Sequence, residues 1–223
     1  VPYKYCEILT GDIPVDVFVL HGYRSNIENV NRFSQSINNL GFPVILCEYV
    51  GHGNRVGDRH NLHETMIYIE SVVKRRHNPV VLIGHSLGGA IAISIAARSN
   101  FVKQVFAISS PNGAMLDDER QLKKLELLYL ERFSEKAFDN LNSIMPSMYA
   151  SCRRDNSAKY FIVHCKSDTV VPFIEFEANV ELLCLPLSNT MVIERITGNG
   201  VIDHSALLYI PETLEFIEKH IIT

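Results

Sequence analysis

The chain has 223 residues, 47% of them apolar and 21% charged, the balance of a globular protein with one sizeable core. Its formal net charge of −4 gives no electrostatic ground for a nucleic-acid partner. No run of 18 apolar residues occurs and no signal-peptide pattern is present, so neither a membrane-spanning helix nor a secretory route is expected.

In chain order, residues 3–9 (YKYCEIL) suit an antiparallel edge strand and residues 15–20 (VDVFVL) a buried strand. Residues 26–40 place Ile27, Val30, Phe33, Ile37 and Leu40 at helical spacing, and Gly41 stops that helix. A short strand follows at 44–47. A helix is predicted over 62–77, with Met66, Ile69 and Val73 on one face. The basic group Lys74-Arg75-Arg76-His77 then suits the negative end of its dipole. Strands at 80–83 and 102–108 flank a helix at 87–98. Residues 160–165 (YFIVHC) read as a strand, 173–184 as a helix, 190–196 as a strand and 205–221 as a last helix. This alternation predicts an α/β protein with a mostly parallel sheet covered by helices on both faces.

Residues 114–150 break the alternation. Gln121 to Phe133 is helical in pattern, with Leu122, Leu125, Leu128 and Tyr129 on one face and Leu127 and Leu130 beyond it. Phe138, Leu141, Ile144, Met145 and Met148 follow. The apolar stripe is wider than packing on one face needs. Two units are therefore expected: a core of residues 1–113 and 151–223, and a short helical cap, or lid, at 114–150.

The five cysteines, at 6, 47, 152, 165 and 184, are odd in number and form no CxxC. Cys47 and Cys165 lie in apolar runs, where a thiol acts as a small hydrophobe. A reduced, cytoplasmic protein is the expectation. His52, His60 and His63 lack the HExxH arrangement and an evident third ligand. They read as surface or loop histidines, and no metal or other cofactor is expected.

Residues 80–93 (VVLIGHSLGGAIAI) carry the chemistry. An apolar strand turns sharply at Gly84-His85-Ser86-Leu87-Gly88 into a small-residue helix, a complete G-x-S-x-G. Gly84 and Gly88 clear space on either side of Ser86, and Gly89 and Ala90 let the helix approach the sheet. A serine nucleophile needs a base, and the base a carboxylate. Only three histidines lie downstream. His164 sits inside a strand and His220 in an exposed terminal helix, which leaves His204, in a loop after the last strand. Asp168, on the loop after strand 160–165, is the candidate acid. Asp203 reads as a local turn residue beside His204, and Asp117 and Asp118 as caps of the coming helix. The Leu87 N–H at the helix N-terminus and the Tyr23 N–H after His21-Gly22 are the candidate oxyanion donors.

These stretches resemble the α/β-hydrolase superfamily over nearly the whole chain, and within it the monoacylglycerol lipase and lysophospholipase-like group most closely. GHSLGGAIAI at 84–93 is similar to that group's nucleophile elbow, EYVGHGNRVGDR at 48–59 to its D-x-x-G-H-G-x-S-x-G segment, and HGY at 21–23 to its oxyanion loop. The resemblance implies the same five positions: Ser86, Asp168 and His204 as the triad, Tyr23 and Leu87 as oxyanion donors. Glu48 stands where the group usually has Asp, and Arg55 where it usually has Ser. The 114–150 insertion is shorter than many of its caps, and the final loop GNGVIDHS is longer than its short G-x-x-H.

The expected function is hydrolysis of a small-molecule carboxylic ester bearing an apolar acyl chain. Thioesters, small esters, and from another class a non-catalytic ligand binder on the same fold, are the alternatives. No clear acidic cluster offers to hold a substrate amine, which reads against a peptidase.

Overall fold

The computed structural model describes residues 4–55, 62–114, 143–149 and 158–222. Among these residues seven strands form one sheet: β1 (Cys6–Leu9), β2 (Asp16–Leu20), β3 (Val44–Cys47), β4 (Val80–His85), β5 (Val102–Ile108), β6 (Lys159–Cys165) and β7 (Thr190–Ile193), in the order β1-β3-β2-β4-β5-β6-β7. All neighbours are parallel except β1, which runs antiparallel to β3 with Cys6 opposite Cys47.

The inner strands of the sheet are buried on both faces because they are mostly apolar, and the two-residue period divides their side chains. Phe18, Leu20, Leu82, Val105 and Ile162 point to one face, where α2 (Leu62–Val73), α3 (Leu87–Arg98) and Phe176 of α4 (Phe173–Leu182) pack. Val17, Val19, Val81, Ile83, Phe106 and Val163 point to the other, against α1 (Ile27–Asn38), Leu207, and Ile217 of α6 (Pro211–His220). In α1 the Asn26 side chain caps the first turn by accepting the Asn29 N–H at 3.0 Å. Such a cap is worth about 1 kcal/mol. Gly41, at φ +96°, turns the chain back toward β3.

Several elements differ from expectation: the strand expected over 3–9 starts at Cys6 and the helix expected over 173–184 ends at Leu182. The helix predicted over 62–77 ends at Val73, and its basic tail does not simply face the helix dipole. Arg76 reaches the buried Asp16 at the start of β2, with Nε 2.8 Å from Oδ2 and an NH2 nitrogen 3.1 Å from Oδ1. The strand predicted over 190–196 stops at Ile193. The single helix predicted over 205–221 is two, α5 (Gly200–Ala206) and α6, parted where Ile210 turns extended ahead of Pro211. Proline suits a helix start but removes the hydrogen bond that a continuous helix would need there.

Most of the expected 114–150 cap, including Asp117, Asp118 and the helix from Gln121 to Phe133, lies outside the described residues. Of its described part, Ile144 and Met145 pack into the core and Met148 is exposed. The Ile144 carbonyl accepts a hydrogen bond from Ser94 Oγ at 2.7 Å, which ties this segment to the outer side of α3. Hence α3 is buried almost all round, and its Gly, Ala and Ile residues fit that position.

Asp16 is fully buried and Arg76 supplies its cation. Arg76→Ala is expected to lower stability by about 3 kcal/mol, because it leaves a carboxylate buried without that cation. A lower urea midpoint at pH 7 with an unchanged slope checks it.

Candidate active site

Ser86 sits between the last residue of β4 and the first of α3, with φ +54° and ψ −123°. That conformation costs a non-glycine residue on the order of 1–3 kcal/mol and must be imposed by its surroundings. The Ser86 N–H donates to the Ile108 carbonyl at 2.8 Å, and its own carbonyl accepts from Gly89 N at 2.9 Å. The flanking glycines are required by contact. A Cβ on Gly84 would lie 2.2 Å from the Gly88 carbonyl oxygen, and one on Gly88 2.3 Å from the Leu20 oxygen. A Cβ on Gly89 would lie 2.7 Å from Ser110 Cβ, so the helix does approach the sheet as closely as its small residues suggest.

Asp168 and His204 come together. His204 Nδ1 donates to Asp168 Oδ2 at 2.7 Å, and both residues are more than nine-tenths buried. The other carboxylate oxygen accepts the Val170 and Val171 N–H groups at 2.8 and 2.9 Å. Burial pushes the Asp168 carboxyl up, but the His204 hydrogen bond and charge and these two N–H groups outweigh it and hold it below the usual carboxylate range. With Nδ1 committed to Asp168, Nε2 is the nitrogen through which His204 can take a proton.

His204 lies in α5 rather than in a loop. The helix forms because Asn199 caps it, its side chain accepting the Val201 N–H at 3.0 Å. The helix is pressed onto the acid loop: a Cβ on Gly200 would lie 2.0 Å from the Ser167 carbonyl oxygen. Asp203 does make the local turn expected of it, accepting Thr197 N and Oγ1, both at 2.6 Å, but it also accepts Ser167 Oγ. One carboxylate thus clamps the Thr197 turn to the loop that carries Asp168.

His85, in the variable position before Ser86, links the serine turn to His204. Its Nε2 lies 2.8 Å from the His204 carbonyl and the two rings are 4.7 Å apart. Burial, then the nearby His204, lowers its pKa and keeps it neutral, and facing a carbonyl Nε2 must be the donor. Sequence reasoning passed over it, although its place inside the motif was the available signal.

The candidate oxyanion donors flank Ser86. Leu87 is the first residue of α3, where N–H groups have no partner within the helix and the helix dipole favours negative charge. On the other side a Cβ on Gly22 would lie 3.2 Å from Ser86 Cβ, which sets the Gly22-Tyr23 peptide against the serine.

The remaining histidines divide. His164 is buried in β6 with Nε2 3.0 Å from the Val171 carbonyl, as its place in a strand suggested, and His220 is on α6. His63 is half-buried on α2, and His60 lies outside the described residues. His52 lies in a loop but is not at the surface: only 4% is exposed, and its ring meets those of His21, Tyr23 and Tyr49. Among the described residues no group of three His, Cys, Asp or Glu side chains is arranged to hold a metal, and no helix is long and apolar enough to cross a membrane.

A seven-stranded, mostly parallel sheet that displays a strained serine at a strand-to-helix turn is the α/β-hydrolase fold. The chain belongs to the family described as serine aminopeptidase, S33, whose model matches residues 14–172. It is similar to the monoglyceride lipase of Mus musculus, 25% identical over 156 residues, which cover 66% of this chain and 48% of the mouse protein. It is also similar to the monoglyceride lipase of Homo sapiens, 30% identical over 106 residues, 43% of this chain and 35% of the human one. The match therefore spans half or less of these relatives' lengths. The crystal structure of Paleococcus ferrophilus monoacylglycerol lipase superposes with a TM-score of 0.63 at 18% identity, covering 95% of this chain and 98% of that one, a likeness of fold.

The depressed Asp168 carboxyl has a stability consequence with a definite sign. Its folded-state value lies below its unfolded value, so the stabilisation is present above about pH 4 and is lost as pH falls below that. Asp168→Asn lacks this term. The stability gap between wild type and Asp168→Asn, from urea unfolding, is expected to be widest near neutral pH and to shrink on acidification toward pH 3.

Proposed function

We propose that this protein is a serine hydrolase of carboxylic esters. The observation that carries the reading is the buried hydrogen bond between Asp168, on the loop after β6, and His204, in α5, together with a serine held at φ +54°. Ser86 Oγ attacks the ester carbonyl carbon while His204 Nε2 takes the hydroxyl proton. The carbonyl oxygen becomes an oxyanion held by the Leu87 and Tyr23 N–H groups. The carbon–oxygen bond to the alcohol then breaks, and His204 returns the proton to the leaving oxygen. Water, deprotonated by the same nitrogen, attacks the acyl carbon; the bond to Ser86 Oγ breaks, His204 returns the proton to that oxygen, and the acid leaves. Asp168 stays ionised throughout, orients the imidazole and stabilises its charged form. No step needs a metal or other cofactor.

For the substrate we infer an acyl ester with an apolar chain, lying under the 114–150 insertion as a lid over the core of residues 1–113 and 151–223. The lipase names of the similar proteins and the excess apolar residues of the insertion support this. The family's description favours one second reading, cleavage of an aminoacyl amide.

A fluorophosphonate is expected to label wild type and not Ser86→Ala, and Asp168→Asn to lower kcat on the order of 10⁴-fold. Nitrophenyl esters are expected to turn over faster as the acyl chain lengthens. A series that peaks at acetate overturns the acyl-chain assignment. Faster turnover of aminoacyl nitroanilides than of any ester favours the peptidase. Absence of labelling in both proteins favours a non-catalytic binder.

A further inference from the structure

The loop that carries Gly22 and Tyr23 rests on buried polar residues that the steps above do not use. His21, Glu48 and Tyr49 are together almost wholly shielded from water. The Nδ1 of His21 lies 2.9 Å from the Gly22 carbonyl oxygen, and a ring nitrogen facing a carbonyl must be the donor. The Ser25 N–H donates to the same oxygen at 3.2 Å. On the far side of the ring, Nε2 lies 3.0 Å from Glu48 Oε1, without the alignment of a hydrogen bond. Tyr49 stacks on the imidazole with centroids 3.7 Å apart. The ring is thus fixed from three directions.

Gly53 gives Glu48 its place. A Cβ there would lie 2.0 Å from Glu48 Oε2, so the second glycine of the 51–53 Gly-His-Gly makes room for a carboxylate. Its φ of +46° also suits glycine. A carboxyl group buried this deeply needs a polar neighbour, and the His21 ring lies against it.

A trans peptide points its C=O and N–H in opposite directions, and no cis bond occurs among the described residues. Whatever fixes the Gly22 oxygen therefore fixes the Tyr23 N–H on the same peptide, and that peptide lies against Ser86.

We propose that Glu48 is a positioning residue: acting through His21, it fixes the Gly22 carbonyl and so aims the Tyr23 N–H at the oxyanion that Ser86 attack creates. This rests on the serine-hydrolase reading and adds a residue to it. Glu48 touches neither substrate nor the reacting atoms.

The test uses the whole chain, a nitrophenyl ester and a trifluoromethyl ketone. The ketone carbon bonds to Ser86 Oγ, the serine proton passes to His204, and the ketone oxygen becomes the anion that the donors hold. Glu48→Leu is expected to lower kcat on the order of ten-fold or more, with KM within about two-fold. It is expected to weaken the ketone by a similar factor, and Glu48→Asp, which keeps a carboxyl group on the His21 side, to recover part of both. A merely structural role would not tie ketone affinity to kcat. Should Glu48→Leu not fold, His21→Phe keeps the stack on Tyr49, cuts the link to Gly22 and is read the same way. Unchanged kcat in a folded variant, or lost kcat with ketone affinity intact, overturns this inference alone. Wild type that fails to react with the fluorophosphonate at Ser86 overturns the serine-hydrolase reading and this inference with it.

Discussion

The first turn of α3 meets the end of β2 backbone to backbone, with no side chain between them. A single carbon added at Gly88 would sit 2.3 Å from the Leu20 oxygen and 2.6 Å from the His21 oxygen. That contact sets the separation of the two chain segments the proposed chemistry brings together, the serine turn and the His21-Gly22-Tyr23 loop. The strain in Ser86 is tolerated because rigid neighbours leave the chain no other path. β4 is paired along its length with β2 and β5, and the Ser86 N–H is spent on Ile108. The proposed nucleophile is therefore presented by the scaffold, and its geometry is fixed before any ligand arrives.

The loops at this end of the sheet are held mainly by carboxylates accepting hydrogen bonds. Asp168 takes two N–H groups and an imidazole. Asp203 joins two loops. Glu175 of α4 accepts from the N–H groups of Asn112 and Gly113, where the chain leaves β5 toward the insertion. Loops cannot bury enough apolar surface to define themselves, and a carboxylate with several donors fixes direction as well as distance. The same logic operates at the opposite end of the sheet, where Arg76 and Asn78 satisfy Asp16.

The framework was readable from the chain because its strands are buried on both faces and appear as short apolar runs between helical periods. α3 and β5 were bounded to the residue. Ser86 and its glycines were readable because steric necessity leaves a spelling. Asp168 and His204 followed from their order along the chain and their place after strands. The parts that escaped depend on partners distant in sequence. Nothing near Arg76 announces Asp16, sixty positions earlier. The burial of His52 and the use of Glu48 depend on His21 and Tyr49. α5 was masked by two glycines and an asparagine in GNGVIDHS, residues that signal a loop, although the same asparagine is a good helix cap. His85 was overlooked because the motif leaves its position open.

Among the described residues the sheet's two outermost strands, β1 and β7, are four residues each, against six and seven in the inner β4 and β5. A strand that ends a sheet leaves half its backbone groups facing outward, a template on which another chain can add. Four residues offer such a visitor few ladder bonds. β7 is followed by Glu194, ion-paired with Lys166 at 2.7 Å, so charge stands where an added strand would have to continue. The apolar length that makes the middle of this sheet a firm platform is thus kept away from its borders, and the fold carries its own guard against edge-to-edge association.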